Sequence, residues 1–316
     1  MIMNIASNEI SSVIQSINSK LPDLEFKCDE PLRLHTTFKI GGPVSIMFFP
    51  GSVSCTTELC DILKKYEITP LIMGNGSNIL ANDSKLDIVV VNTTKLCNVI
   101  NTSNINSTED IIIEAEAGIL LSKLAVFAYE HSLSGLEFAH GIPGTLGGAV
   151  VMNAGAYDGE MQDVIYNTTA YNIKNGKYTL TAADHGFSYR HSRFSTYNDI
   201  VLSSKIRLQK DDKETIKQKM DELSIRRRNS QPLESASGGS TFKRPKEGYA
   251  AALIEQAGLK GFSIGGAQVS EKHAGFIINR ENATFSDTMA VIEHVQETVL
   301  KQCGVSLELE LKVVGG

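Results

Sequence analysis

A chain of 316 residues is long enough for two or three domains with a sizeable core. Its net charge of −6 and pI near 5.7 argue against a nucleic-acid binder, and 42% apolar residues is the content of an ordinary soluble protein. No apolar run approaches the ~18 residues that span a membrane, and no basic segment leads into an apolar core as in a secretory leader. The cysteines (Cys28, Cys55, Cys60, Cys97, Cys303) are odd in number without a CxxC pair, and the histidines show no ligand spacing. The expectation is a cytoplasmic protein with reduced thiols, no metal and no membrane partner.

In chain order, Ile10, Val13, Ile14, Ile17 and Leu21 recur at helical spacing, and Pro22 ends that helix. A second helix is predicted over 54–66, with Leu59, Ile62, Leu63 and Tyr66 on one face. Residues 70–73 read as a short buried strand, followed by strands at 87–91 and 111–115 and an apolar helix over 120–133. Strand-like patches continue at 170–173 and 200–208. The character changes near Lys210: residues 210–228 are charged, with Ile216, Met220 and Leu223 marking a helix face. A Ser/Pro/Gly-rich loop over 229–239 and a short helix over 249–257 follow. A helix over 286–302 buries Met289, Ile292, Val295 and Val299. Residues 307–313 alternate strictly and read as a strand with Glu308, Glu310 and Lys312 on its wet face. The mixture predicts an α+β fold with two lobes.

The densest information lies in residues 135–159, where seven of twenty-five residues are glycine. Side chains this small let a ligand lie directly on the backbone, and a third cluster at Gly74-Asn75-Gly76-Ser77-Asn78 follows a strand. The pattern points to a large, flat or phosphorylated ligand held by main-chain N–H groups. It is neither a dinucleotide fingerprint, because the third glycine is missing, nor a Walker loop.

Five segments carry a family resemblance: LIMGNGSNIL, SGLEFAHGIPGTLGGAVVMNAGAY, FSYRHSRF, SGGSTFKRP and GLKGFSIGGAQVSEKHAGFIIN. In this order they resemble the UDP-N-acetylenolpyruvoylglucosamine reductase (UDP-N-acetylmuramate dehydrogenase, MurB-type) family, from about Leu34 onward. The resemblance implies bound FAD, with NADPH as co-substrate, and reduction of an enolpyruvyl ether on a UDP-sugar in peptidoglycan precursor synthesis. It implies two FAD-binding subdomains of vanillyl-alcohol-oxidase/PCMH type plus a C-terminal α+β substrate-binding domain. The expected spans are 1–94, with 305–316 as a candidate completion, then 95–209, and 210–304 for substrate. An insertion between Arg193 and the Ser240 loop is missing, which points to a shorter subtype.

The cofactor positions implied are Gly74, Asn75, Gly76, Ser77, Asn78 and Ile79, then Gly141, Ile142, Pro143, Gly144, Thr145, Gly147, Gly148, Asn153, Gly155 and Ala156. Hydride addition to an enolpyruvyl group leaves an enolate spread onto a carboxylate. The chemistry therefore needs a cation, a proton donor and a dry site. Arg190 fits the cation, since a guanidinium pairs with a carboxylate in bidentate fashion and keeps its proton. The family motif assigns Ser240 as proton donor and makes Tyr189 line the substrate. Counting from Gly304 places the catalytic carboxylate at Glu310; the family's Leu-Glu-Pro-Glu lacks its proline here, which leaves Glu308 as the alternative. Gln231, Lys243, Arg244, Lys272 and His273 are expected to contact substrate phosphate, carboxylate or uridine. A monomer acting on a small molecule is expected. Two other readings stay open: a related flavoprotein oxidase or dehydrogenase of another alcohol or ether, and a non-catalytic flavin binder.

Overall fold

The computed structural model describes residues 7–103, 110–197 and 199–316. The chain forms two compact units, one of residues 1–28, 45–75 and 87–226, the other of 29–44, 76–86 and 227–316.

The first unit carries two sheets. One has the strand order Glu25–Pro31, Pro43–Phe49, Leu86–Asn92, Leu71–Met73. Helices Ser7–Lys20 and Val53–Lys65 supply Val13, Ile17, Leu59, Ile62 and Leu63, which pack on Ile46, Phe48, Val89 and Val91. The Ser52 hydroxyl caps the second helix by accepting the Cys55 N–H at 3.1 Å. The strand Pro43–Phe49 is buried almost without interruption. It therefore lacks the alternation by which a half-buried strand announces itself.

The other sheet is antiparallel, in the order Gly176–Thr181, Ile165–Asn172, Ile200–Lys210, Ile111–Glu116, Val99–Ser103. Helix Leu121–Glu130 lies on it through Leu124 and Ala128, and helix Leu146–Met152 through Leu146 and Val150. Cys60 and Ile72 join Tyr171, Ile200 and Leu202 in a small cluster that ties the two sheets together. There the Tyr171 hydroxyl donates to Asp61, and burial keeps the phenol protonated far above its ordinary range. Burial likewise pushes the Cys60 thiol up to about 12, so it is an inert core residue.

The second unit holds a sheet ordered Ala236–Ser237, Ile277–Asn279, Ala267–Val269, Ser263–Ile264, and a separate parallel pairing of Lys312–Val314 with Ile79–Ala81. Helix Phe285–Cys303 buries Val291, Ile292, Val295 and Val299 against Val269 and Ile277. A Thr284–Asp287 capping box starts that helix, and Gly304, at φ 70°, ends it.

The glycine-rich segment contains a short helix: Thr145 caps Leu146–Met152, with Gly147 and Gly148 in its first turn. One expectation needs correction. The alternating segment 307–313 is a regular strand only at Lys312–Val314. Before that it meets the chain at 241–243 through the single bridge Phe242–Leu309. Pro245, two residues beyond, has no N–H with which to prolong a ladder.

Candidate active site

Within the first unit the two glycine clusters are built against each other. A Cβ at Gly74 would stand 2.2 Å from Thr145 Oγ1, so only glycine fits. The Asn75 side-chain amide donates to the Pro143 carbonyl at 2.7 Å. A further loop anchors the second cluster, because the Leu121 N–H bonds to Gly144 O and the Gly147 N–H to Ala117 O. Gly147 packs so closely on Ala117 that a Cβ would come within 2.9 Å of it. Gly148 differs: it is exposed, and a Cβ there would meet only Thr145 Oγ1, at 3.6 Å.

Most of these glycines thus serve the approach of chain to chain, and the result is a bare peptide surface. Among the described residues, nothing accepts the amide N–H of Asn75 or Gly144 in this unit. Unoccupied N–H donors on neighbouring loops suit the diphosphate and ring edge of a flavin dinucleotide, so these residues fit FAD.

The helix Leu146–Met152 ends at Asn153, which is fully buried with a left-handed φ of 41°. Its amide donates to Glu160 Oε2 at 3.1 Å and to the Ser188 carbonyl at 3.2 Å, while its Oδ1 accepts the Gln162 N–H at 2.9 Å. Asn153 therefore joins the glycine-rich segment to the turn that carries Tyr189 and Arg190. Ser188 and His191 exchange N–H···O bonds at 3.1 Å across the neck of that turn, and the Ser192 hydroxyl donates to Val151 O at 2.7 Å. Arg190 sits at the tip with φ 53°, donates from Nη2 to Gly155 O at 3.2 Å, and lies 5.0 Å from the Tyr189 ring. Gly155 is required by its hairpin, since a Cβ would meet Gly159 O at 2.7 Å.

Tyr157 is a further residue of this region that sequence reasoning does not single out. Tyr157 and Asp158 take φ of 52° and 67° in the hairpin turn, where glycine or asparagine is usual. The Tyr157 hydroxyl is buried without a hydrogen-bond partner among the described residues, and the Arg226 guanidinium lies 4.9 Å from its ring. The only signal for it in the chain is a tight turn made without glycine.

In the second unit, Gly76 is forced by the His35 carbonyl, 2.1 Å from where a Cβ would stand. Asn78 donates its side-chain amide to Glu310 O at 3.0 Å, and its own carbonyl accepts the Lys312 N–H at 2.9 Å. The Glu310 N–H in turn donates to Thr241 O at 2.9 Å. Glu310 is thus pinned by its backbone between the residue after Ser240 and the end of the Gly74–Asn78 run. Thr241 is fully buried, donates its N–H to Gly275 O at 2.9 Å and accepts the Ile277 N–H on Oγ1 at 3.1 Å. Ser240 is exposed on this anchored loop, after Gly239 at φ 82°. Glu310 is half-buried, whereas Glu308 is exposed and pairs with Lys243 at 3.3 Å.

The remaining candidates of this unit have separate settings. Arg244 stacks 4.1 Å from the Tyr249 ring, and Lys272 lies 4.0 Å from Glu234. His273 Nδ1 accepts the Gly275 N–H at 3.2 Å, and burial draws its pKa below the ordinary value, so the ring is neutral. Gln231 Oε1 is buried with no partner among the described residues.

Residues 231–314 match the family model described as UDP-N-acetylenolpyruvoylglucosamine reductase, C-terminal domain, and residues 44–181 match the one described as FAD binding domain. The UDP-N-acetylenolpyruvoylglucosamine reductase of Caldanaerobacter subterraneus is 46% identical, over 96% of this chain and 98% of its own. The chain belongs to the UDP-N-acetylenolpyruvoylglucosamine reductase family. The reductase of Agathobacter rectalis is 44% identical over 96% of this chain and 98% of its own. The MurB crystal structure from Thermus caldophilus is similar with a TM-score of 0.75, at 30% identity and covering 92% and 98% of the two chains. These matches bear out the family resemblance drawn from five short segments, and with it the α+β flavoprotein fold.

Proposed function

We infer that this chain is a flavin-dependent oxidoreductase that uses NADPH to reduce the enolpyruvyl ether of UDP-N-acetylglucosamine-enolpyruvate to UDP-N-acetylmuramate, a step in peptidoglycan precursor synthesis. The observation that carries the reading is full-length similarity, at 46% identity, to a reductase of that name. A different alcohol or ether substrate and a non-catalytic flavin binder are thereby displaced.

FAD, when bound, takes reducing equivalents from NADPH and passes them to the enolpyruvyl double bond. The two sheets of the first unit are read as the two cofactor-cradling subdomains, and 227–316 as the body of the substrate domain. The amides of Asn75, Gly76, Ser77 and Gly144 hold the dinucleotide. Arg190 binds the enolpyruvyl carboxylate and stabilises the charge that grows on it, and its bond to Gly155 O orients the guanidinium plane. Ser240 Oγ delivers the proton to the carbon next to the carboxylate. An alkyl hydroxyl is a poor acid in water. Ser240 is exposed in this structure, so the substrate itself must exclude water from it. Glu310 is the catalytic carboxylate: it is half-buried on a backbone pinned to Thr241 and Asn78, whereas Glu308 lies at the surface beside Lys243. Tyr189, Gln231, Lys243, Arg244, Lys272 and His273 receive the sugar nucleotide. The cell compartment is read as the cytoplasm and the working form as a monomer, with neither nucleic acid nor membrane as partner. No helix among the described residues is long and apolar enough to cross a membrane.

The test is Ser240→Ala. NADPH should bleach the flavin of this variant at the wild-type rate, while enolpyruvyl substrate fails to restore the colour. Normal turnover of substrate would remove Ser240 from the mechanism.

A further inference from the structure

His185 is fully buried in the first unit, three residues before Ser188, and has no part in the chemistry above. Its Nδ1 lies 2.7 Å from the Thr181 carbonyl, which can only accept, so Nδ1 carries the proton. Nε2 then accepts the Thr168 hydroxyl at 2.8 Å, and Thr168 Oγ1 accepts the Ser204 hydroxyl at 2.9 Å. With the ring neutral this chain of donors runs from Ser204 through Thr168 to Nε2, and a proton on Nε2 would reverse it. The imidazole stacks on Phe187, with centroids 4.7 Å apart and planes 13° apart, and meets Phe194 edge-on at 5.6 Å and 70°. Phe187 and Phe194 are the two ends of the segment whose tip holds Tyr189 and Arg190.

We propose that neutral His185 is a positioning residue for Arg190, a wedge between the two ends of the turn that sets how the guanidinium is presented. The inference rests on the reading of Arg190 as the carboxylate-binding cation. Left-handed backbone at a non-glycine residue is strained and persists only where the surroundings over-determine it. Arg190 is such a residue, and the His185 wedge lies at the base of its turn.

Protonation would undo the wedge. Nε2 would become a donor, and the Thr168 and Ser204 hydroxyls would both have to turn. The charged groups acting on the ring are Asp184, one residue before it, and Arg193 from the following helix. The strands behind it present the Thr168 and Ser204 hydroxyls, and Tyr178, on the next strand, is committed to Asp199. Burial draws the His185 pKa below its ordinary value, against the Thr181 carbonyl and Asp184, with Arg193 adding a little to the fall.

The experiment measures the holoenzyme between about pH 5 and 8, the range in which a histidine changes charge. It follows kcat/KM for the enolpyruvyl substrate and, separately, the rate of flavin reduction by NADPH. Wild-type kcat/KM should fall on the acid side through a rise in KM, with flavin reduction little changed. His185→Gln should lower kcat/KM by about tenfold at neutral pH, as a misplaced catalytic group does, and His185→Phe should lack the acid limb. Both variants keeping the wild-type value and the wild-type acid limb would overturn the inference. If neither variant folds, NMR titration of the His185 ring in the wild type decides. Its midpoint must match the acid loss of substrate affinity, read from the flavin absorbance of the oxidised holoenzyme, and a gap of more than about one pH unit overturns the inference. Arg190→Ala with unaltered kcat/KM would defeat the assignment of Arg190 itself; a weakened Arg190→Ala beside unaltered His185 variants would defeat only the wedge.

Discussion

The buried Asn153 amide donates to the carbonyl of Ser188, 35 residues further along, at 3.2 Å. One side chain therefore fixes the end of the glycine-rich helix, the Gln162 N–H and the base of the Arg190 turn. Asn153→Ala would take the acceptor from the Gln162 N–H and put alanine in a left-handed position, while the Ser188 carbonyl keeps the His191 N–H. A lost acceptor costs about 1–3 kcal/mol. Denaturant unfolding should show a loss of about 1–3 kcal/mol, with slower turnover of substrate in the fraction that remains folded. A loss below about 0.5 kcal/mol, the scale of an ordinary surface change, would contradict this account.

Gly74 and Gly148 make a matched pair. At Gly74 an added methyl collides with Thr145, so Gly74→Ala should force the two loops apart and lower both the melting temperature and flavin content. At Gly148 the protein itself leaves room. Gly148→Ala should leave the melting temperature of the apoprotein unchanged while weakening FAD, because only a ligand lies in the way. Equal flavin affinity in Gly148→Ala and wild type, by fluorescence titration, would mean that the cofactor does not cover this position.

The two C-terminal glutamates should separate cleanly. Glu308→Gln breaks one exposed ion pair with Lys243, which is worth at most about 1 kcal/mol. Its reoxidation by substrate should be near normal. Glu310→Gln keeps the pinned backbone, because Thr241 and Asn78 bond to main-chain atoms only. It should fold normally yet reoxidise slowly, and stopped-flow absorbance would reveal the opposite order if the assignment were wrong.

Tyr157→Phe removes a buried hydroxyl that has no partner among the described residues. Stability should hold or improve slightly, since no hydrogen bond is lost. A rise in KM for the sugar nucleotide would place this hydroxyl against substrate; unchanged kinetics would leave it unused.

Acid should destabilise the fold through His185 and His273. Burial lowers both pKa values below the ordinary 6.5. The unfolded chain then binds protons that the folded chain refuses, so stability is full above pH 6.5 and falls as pH drops through the folded-state values. Unfolding free energy measured across this window should decrease, and the slope should be shallower in His273→Gln. A flat profile would indicate that neither ring is held neutral.

Much of the fold is legible in the amino-acid sequence. The helices at 7–20, 53–65, 121–130 and 285–303 show through because each buries one stripe of a periodic pattern. The strand Pro43–Phe49 escapes notice because it is apolar on both faces, and Ala236–Ser237 and Ser263–Ile264 because two residues carry no period. The glycines of the site are visible, but not their reason: Gly74 and Gly147 are sized by Thr145 and Ala117, contacts that exist only in three dimensions. The roles of Asn153 and His185 are equally hidden, since each depends on partners 17 to 35 residues away in sequence.

The short parallel strand Lys312–Val314 has a bearing on how the molecule is made. It pairs with Ile79–Ala81, and beside it the Asn78 amide reaches Glu310 across 232 positions of sequence. On the ribosome, Asn78 therefore waits for 232 further positions to be added before it finds this partner. The stretch of peptide that ends there should stay open to proteases during synthesis, and acquire its resistance abruptly once Glu310 has emerged.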